Sequence, residues 1–132
     1  MGRRFLLLTH IGRKTGLRRQ TVLEIIAYRP CGPTAVVMSG FGYRSDWLLN
    51  IDAKGTEEIQ VGSQHFRTTH RVLRKDEAVD VLRAYEIRNW MIDPIIRRVL
   101  SWLAGWRYRG TEVDRARLVG QLPLIEFSAL EP

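Results

Sequence analysis

The chain has 132 residues, of which 45% are hydrophobic and 27% charged, a composition typical of one globular domain spanning residues 1–132. This composition excludes intrinsic disorder and collagen-like repeats, and a disulfide scaffold is excluded because Cys31 is the single cysteine. No apolar run approaches the roughly 18 residues that span a bilayer, and residues 5–8 are too short for a signal-peptide core, so a cytoplasmic location is expected.

The charge balance narrows the choice of partner. Twenty-one basic residues against fourteen acidic ones give a net charge of +7, and eighteen of the basic residues are Arg. Arg offers a planar fork that fits phosphate and carboxylate groups. The composition therefore predicts an anionic partner, which is nucleic acid, anionic lipid or a small polyanion such as a phosphorylated cofactor.

The first part of the chain predicts three strands. A short apolar strand covers residues 3–9, and an alternating strand covers residues 17–28, so the two form a hairpin whose tip is the basic turn at residues 12–16. A second turn at residues 29–33 leads into an apolar strand at residues 34–38.

The middle of the chain predicts a loop, a helix and two further strands. The glycine-bearing loop at residues 39–45 ends at Ser45, which can N-cap a helix over residues 46–53. Strands are expected at residues 57–61 and 65–73, joined by a Gly-Ser turn.

The last third predicts two helices and a strand. One helix begins at Asp76 and ends near Tyr85 or Arg88, and a second, amphipathic one covers residues 94–106. Residues 108–120 are the most loop-like stretch, and residues 122–128 form a last strand. These elements predict an α+β fold: a small, mainly antiparallel barrel of about six strands with two or three flanking helices.

Three segments are candidates for chemistry. The turn Gly12–Gly16 combines glycines with Arg and Lys, which suits a phosphate or carboxylate cluster, although a solvated hairpin tip has the same pattern. Glycines in residues 39–42 would let a flat ring approach the backbone. Trp47 and Asn50, neighbours on one helix face, could offer an apolar wall and an amide, or Trp47 could simply belong to the core.

Other chemistry has little support in the sequence. The three histidines have no Cys or carboxylate at ligand spacing, so no metal site is expected, and no nucleophile elbow or catalytic triad is visible. Glu24 and Glu126 lie on strands among apolar residues, where each is expected to pair with an Arg or to serve as a pocket carboxylate. The apolar arc of the helix at residues 94–106 either packs on the barrel or a second subunit, or lies on a membrane surface.

The order of these segments resembles a known family. The opening string LLLTHIGRKTGLRR at residues 6–19 resembles that of the deazaflavin (coenzyme F420)-dependent nitroreductase family. The block SGFGYRSDWLLN at residues 39–50 looks like that family's second block, and residues 122–127 are similar to its terminal strand. Ser45, Asp46 and Leu48 depart from that block, and Val22 stands where many members have Pro. The tyrosines that line the substrate pocket of nitroreductase members have no one-to-one match among Tyr85, Trp90, Trp102 and Trp106, so cofactor binding is better supported than nitroreduction.

The resemblance implies a split β-barrel of the FMN-binding-like superfamily and an oxidoreductase that moves a hydride between coenzyme F420 and a small electron-poor substrate. A possible homodimer is also implied, and nucleic acid is not expected as a partner. The cofactor's phosphodiester and oligoglutamate tail would account for the basic tip. By position, the implied cofactor-binding residues are Arg13, Lys14, Thr15, Gly16, Arg19, Val37, Met38, Ser39, Gly40, Asp46, Trp47 and Asn50.

Ser39 is also the implied catalytic residue, by a hydrogen bond to the substrate or the ring. Two alternatives stay open at this point. An FMN-binding oxidoreductase on the same barrel would use a similar phosphate loop. A basic module without enzyme activity would instead bind nucleic acid or an anionic membrane surface, the latter through residues 94–106.

Overall fold

A computed structural model describes residues 5–130 of the chain. The first two residues of the predicted opening strand, Arg3 and Arg4, lie outside this range. The described residues form seven strands: β1 (Phe5–Ile11), β2 (Arg18–Arg29), β3 (Thr34–Met38), β4 (Thr56–Val61), β5 (Gln64–Phe66), β6 (Thr68–Val72) and β7 (Leu124–Ala129).

Four α-helices accompany these strands: α1 (Asp46–Lys54), α2 (Lys75–Arg88), α3 (Asp93–Ala104) and α4 (Glu112–Gln121). Short 3-10 turns at Gly42–Arg44 and Trp90–Ile92 precede α1 and α3. No helix among residues 5–130 is long and apolar enough to cross a membrane.

The strands form one antiparallel sheet in the order β5-β4-β1-β2-β3-β7-β6. The two outermost strands, β5 and β6, are consecutive in the chain and separated only by Arg67. Arg67 also accepts a backbone hydrogen bond from Leu130 at 2.8 Å. The sheet therefore curls into a nearly closed barrel, which confirms the predicted α+β split-barrel class.

Two apolar clusters hold the barrel and its helices together. One lies between the strands and α1, where Leu8, Val37 and Phe127 are fully buried and Trp47 packs against Phe127. The other lies between the opposite face of β2, β3 and β7 and the helices α2, α3 and α4. Because both faces of β3 are covered, its sequence is almost continuously apolar, whereas β7 alternates, with Glu126 and Ser128 partly exposed.

Two elements differ from the sequence prediction. The expected strand at residues 65–73 is two strands, since the chain turns the corner between the sheet edges at Arg67. The stretch predicted as a loop at residues 108–120 contains α4, which begins after Thr111, whose side-chain oxygen accepts from the Asp114 N–H at 3.1 Å. This N-cap and the acidic first turn are helix signals that the polar composition of α4 hides.

Helix α3 splits its apolar arc between two environments. Ile96, Leu100 and Ala104 are buried against the barrel, whereas Ile95 and Trp102 are 63% and 74% exposed. The helix ends where Gly105 takes a left-handed backbone conformation. Packing on the barrel therefore accounts for only part of the apolar arc at residues 94–106, and the other part is exposed.

Candidate cofactor and acceptor cavities

The basic turn is a compact, hydrogen-bonded loop. The Gly12 N–H donates to the Leu17 carbonyl at 2.8 Å, the Gly16 N–H donates to the Gly12 carbonyl at 2.8 Å, and the Leu17 N–H donates to Thr15 Oγ1 at 3.2 Å. A Cβ atom on Gly12 would lie 2.5 Å from Thr15 Oγ1, so this position requires glycine. Gly16 has a φ of 71°, the left-handed region that glycine tolerates.

Hydrogen bonds connect this turn to α1 and to the barrel strands. Asn50 accepts from the Arg13 backbone N–H at 3.1 Å and from Arg13 Nη1 at 2.8 Å, while Arg13 Nη2 lies 3.4 Å from Asp46 Oδ1. The Asn50 amide then donates to His10 Nδ1 at 3.1 Å, and His10 Nε2 donates to Thr21 Oγ1 at 3.0 Å. The Arg13 side chain is thereby fixed at the rim of the cavity.

His10 is the central link of this chain and is held neutral. Its ring is buried, and burial together with the nearby charge of Arg19 lowers the pKa of His10 below its usual value. Because Nδ1 accepts from Asn50, the proton of the neutral ring lies on Nε2. The residue therefore acts as a fixed hydrogen-bond bridge rather than as a cation.

These elements surround a cavity of about 690 Å³, which we call the basic cavity. Asp46 is the single carboxylate among its lining residues, against the side chains of Arg13, Lys14, Arg19 and Arg44. Lys14, Arg19 and Arg44 form no ion pair with any carboxylate whose side chain the structure describes, whereas Arg13 pairs with Asp46. Unpaired cations around a concave surface suit an anionic ligand. The complete lining is His10, Gly12, Arg13, Lys14, Thr15, Arg19, Gln20, Thr21, Phe41, Arg44, Ser45, Asp46, Trp47 and Asn50.

The loop at residues 39–45 is held by its own hydroxyl groups. Ser39 is fully buried, and its hydroxyl donates to the Gly42 carbonyl at 2.6 Å and lies 2.7 Å from the Ser45 hydroxyl. Ser45 occupies the predicted N-cap position of α1, but its side chain makes no capping bond and is directed to this network instead. In this conformation the Ser39 hydroxyl lines neither cavity.

A second cavity of about 350 Å³ lies between β2, the end of β3 and the helices α2 and α3, and we call it the apolar cavity. Its walls are aliphatic apart from two polar side chains, Glu24 and Tyr85. Gly40 contributes to the floor, because a Cβ there would already touch the methyl groups of Leu103 at 3.4 Å. The lining is Glu24, Ile26, Met38, Gly40, Leu82, Tyr85, Ile92, Ile95, Ile96, Val99, Leu100 and Leu103.

The two polar side chains of the apolar cavity are paired with each other. The Tyr85 hydroxyl donates to Glu24 Oε2 at 2.5 Å. No Arg or Lys among residues 5–130 forms an ion pair with Glu24, whereas Glu126 pairs with Arg71 at 3.0 Å. The Arg partner expected for Glu126 is therefore present, and the partner of Glu24 is a phenol in a pocket.

The two cavities adjoin along one strand and one loop. Gln20 lines the basic cavity and Glu24 lines the apolar one, and with Val22 between them they lie on one face of β2. The consecutive residues Phe41 and Gly40 also line the basic and the apolar cavity respectively. One ligand bound along β2 can therefore reach from the first cavity to the second.

The residues predicted for the site separate into three groups. The basic cavity gathers Arg13, Lys14, Thr15, Arg19, Asp46, Trp47 and Asn50. The apolar cavity contains Met38 and Gly40. Val37 and Ser39 are fully buried, and Gly16 lies in the basic turn outside both linings.

Sequence reasoning missed several lining residues. Arg44 adds a cation to the basic cavity, and its position before the Trp47 helix was a usable signal. His10 was considered only as a metal ligand, and no group of three or more metal-ligating side chains that could hold an ion occurs in the described part of the chain. The α3 wall of the apolar cavity had no signal beyond its amphipathic pattern.

Comparison with known proteins identifies a family for most of the chain. A family model described as F420H(2)-dependent quinone reductase matches residues 1–92, which include every lining residue of the basic cavity. Helix α3 follows the last matched residue. Among functionally curated proteins, none matches this sequence.

Solved structures share the fold at low sequence identity. One, an F420-H2 dependent reductase (FDR-A), has a TM-score of 0.57 and 15% identity over 97% of this chain and 96% of that chain. Another, described as a domain-swapped dimer, has a TM-score of 0.60 and 16% identity over 97% of this chain and 82% of that chain. At these identities the likeness concerns the split-barrel fold alone.

Proposed function

Because the chain belongs to the F420H(2)-dependent quinone reductase family, whose members are oxidoreductases that use coenzyme F420, we propose that it reduces a small electron-poor organic acceptor. Quinones are the first candidate class, and nitro compounds and enones are the others. The observation that carries the proposal is the excess of unpaired cations in the basic cavity, next to an apolar cavity of ligand size.

The basic cavity fits the anionic part of the cofactor. Lys14, Arg19 and Arg44, which form no ion pair with a described carboxylate, would bind its phosphodiester and carboxylate groups, while Arg13 is held in place by Asn50 and Asp46. The buried neutral ring of His10 supports this arrangement without adding a charge of its own. The predicted contacts of Thr15 and Gly16 with the phosphate belong to the same proposal.

When bound, the reduced cofactor supplies a hydride, so the protein has to bind, orient and exclude water. We assign the ring to the junction of the two cavities, between Met38 and Gly40 of the apolar cavity and Trp47 of the basic cavity. Val37 backs this floor from the core. A catalytic role of Ser39 stays a prediction, which requires its hydroxyl to leave the Gly42 carbonyl.

Fluorescence titration with coenzyme F420 and with FMN tests the cofactor assignment. We expect tighter binding of F420 than of FMN, and weaker F420 binding by Lys14→Ala. Lys75→Ala is the matched control, because Lys75 is an exposed lysine on α2 that lines neither cavity. Equal affinity of the two variants for F420 would reject the basic cavity as the cofactor site.

Turnover with reduced F420 and menadione, a neutral naphthoquinone, tests the acceptor class. We expect oxidised cofactor to form in step with the hydroquinone, and more slowly with a nitroaromatic acceptor. Absence of turnover with every acceptor, at saturating cofactor, would contradict the proposed reductase activity.

A homodimer and a peripheral membrane contact through residues 94–106 stay predictions. Ile95, Val99 and Trp102 are exposed on α3, and one protein of the same fold is described as a domain-swapped dimer. Light scattering gives the mass of the particle in solution. Sedimentation with anionic vesicles, compared between the wild type and Trp102→Glu, measures the membrane contact.

A further inference from the structure

The apolar cavity differs chemically from an ordinary packing defect. It measures about 350 Å³, within the range of roughly 300–1,000 Å³ that ligand pockets span. Ten of its twelve lining residues are Ile, Leu, Val, Met or Gly, half of them on α3, and the other two are the polar pair Glu24 and Tyr85. A carboxylate and a phenol at the edge of an aliphatic pocket are the few placed polar groups that fix a ligand's orientation.

The polar pair can serve both redox forms of one ligand. The Tyr85 hydroxyl now donates to Glu24, and by rotating about its C–O bond it can donate to a carbonyl oxygen. The Glu24 carboxylate can accept from a hydroxyl. A quinone carbonyl and the corresponding hydroquinone hydroxyl therefore both find a partner here.

Glu24 also sets the charge that the cavity accepts. It is exposed and forms no ion pair with an Arg or Lys in the described part of the chain, and Arg88 of α2 donates to the Ile26 carbonyl at 2.6 Å instead. The basic cavity attracts anions, but its cations lie toward Gln20 at the other end of the β2 face. An anionic acceptor near Glu24 would meet a like charge, whereas a neutral ring would not.

We propose that the apolar cavity is the acceptor site, that it binds neutral apolar ring compounds, and that Glu24 excludes anionic ones. The inference rests on the proposed reductase function, since only then does an acceptor have to lie next to the cofactor. It assigns the acceptor to a defined cavity, of which α3 forms one wall, and it adds a selectivity by charge to the proposed function.

Direct binding measurements test the location separately from turnover. Equilibrium dialysis of menadione uses the cofactor-free protein and the protein saturated with oxidised F420, neither of which can reduce it. Val99→Trp should fill the cavity from its rim and weaken menadione binding about tenfold. Val113→Trp is the matched control, since Val113 is 78% exposed on α4 and lines neither cavity.

Binding of an anionic counterpart, naphthoquinone sulfonate, tests the selectivity. Glu24→Gln should bind it about fivefold more tightly than the wild type and bind menadione with little change. Tyr85→Phe should weaken menadione about fivefold while leaving methylnaphthalene, which has no oxygen, unaffected. A role of Tyr85 in folding alone would change both ligands equally.

The outcomes separate the two proposals. If menadione binds neither form of the wild type, or if Val99→Trp and Val113→Trp bind it equally, the apolar cavity is not the acceptor site, even if turnover occurs. If Glu24→Gln leaves naphthoquinone sulfonate binding unchanged, the selectivity is wrong. If menadione binds as expected but reduced F420 never transfers its hydride, the proposed function fails and the binding site stands.

Discussion

The basic cavity and the apolar cavity share one face of β2 but are built in opposite ways. The basic cavity is formed by a tight turn and the start of α1, and its cations are turned toward solvent. The apolar cavity is formed by side chains of α2 and α3 that close over the end of β3. In the proposed function, the first binds its ligand through charge and fixed hydrogen bonds, and the second through shape, desolvation and one polar pair. Affinity for the two ligands should therefore respond to different variants.

The molecule contains two Glu–Tyr hydrogen bonds, one at the apolar cavity and one in the core. The Tyr108 hydroxyl donates to Glu86 at 2.5 Å, as Tyr85 does to Glu24, but Glu86 is 4% exposed and also accepts from Arg115 at 3.1 Å. Burial and the hydrogen bond to Glu86 raise the pKa of the Tyr108 hydroxyl. The Glu86 pair is a folding contact, whereas the Glu24 pair borders a cavity.

The largest expected effect follows from that difference. Glu86→Ala should lower the free energy of unfolding by about 3–5 kcal/mol, because the buried Tyr108 hydroxyl and two N–H groups of Arg115 lose their acceptor, while Arg115 keeps its pair with Glu112. Glu24→Ala should lower it by less than about 1 kcal/mol. Urea denaturation measures both values. Equal losses would mean that Glu24 is also a folding contact, which would weaken its assignment to a ligand site.

The next effect concerns the two ligands. Lys14→Ala combined with Arg44→Ala should weaken F420 binding by about 3 kcal/mol, since two charge-assisted contacts are lost, and should leave menadione binding unchanged. The wild-type affinity for F420 should also fall with salt more steeply than that of the double variant. Parallel titrations at low and high salt measure this, and a loss of menadione affinity in the variant would contradict the separation of the cavities.

Two glycine variants should change stability in opposite directions. Gly12→Ala puts a Cβ 2.5 Å from Thr15 Oγ1 and should lower the free energy of unfolding by about 1–2 kcal/mol, with weaker F420 binding. Gly120→Ala lies on α4 with no atom within 4 Å of the new Cβ and should raise stability by about 0.5–1 kcal/mol. Thermal unfolding of the two variants compares them, and a neutral Gly12→Ala would mean that the basic turn is adaptable.

The smallest expected effect is a pH dependence. The pKa of His10 in the folded chain is below the value of about 6.5 for the unfolded one, so the unfolded state binds a proton first as the pH falls. Stability should therefore decrease below about pH 6.5, by at most about 1.4 kcal/mol for each pH unit. His10→Gln should remove this part of the profile when its pH dependence is compared with that of the wild type. Identical profiles would show that His10 is not the titrating group.

Local sequence was sufficient for much of the fold. The alternation of β2, the glycines of the basic turn and the apolar run of β3 depend on neighbouring residues, so their types and approximate bounds could be predicted. The strand break at Arg67 could not, because it depends on where the barrel edges meet. Helix α4 was missed since its low hydrophobicity outweighed the N-cap signal of Thr111.

The candidate site divides in the same way. Arg13 and Lys14 could be predicted as ligand-binding residues from a run of five residues and their resemblance to a family, and both line the basic cavity. The contact between Arg13 and Asn50 joins residues 37 positions apart, and no periodicity in the sequence relates them. Glu24 could be noticed as a carboxylate among apolar residues, but its phenol partner is 61 positions away.

The sequence by itself determined the basic charge, the turn that carries it and the order of most strands, because charge, backbone preference and hydrophobic period are properties of contiguous residues. Only the tertiary structure decided that His10 is a neutral bridge, that half of the α3 arc is exposed, and that Glu24 lies at an aliphatic cavity. Each of these depends on burial, and burial is set by residues that are far apart in the chain and meet only when the barrel closes.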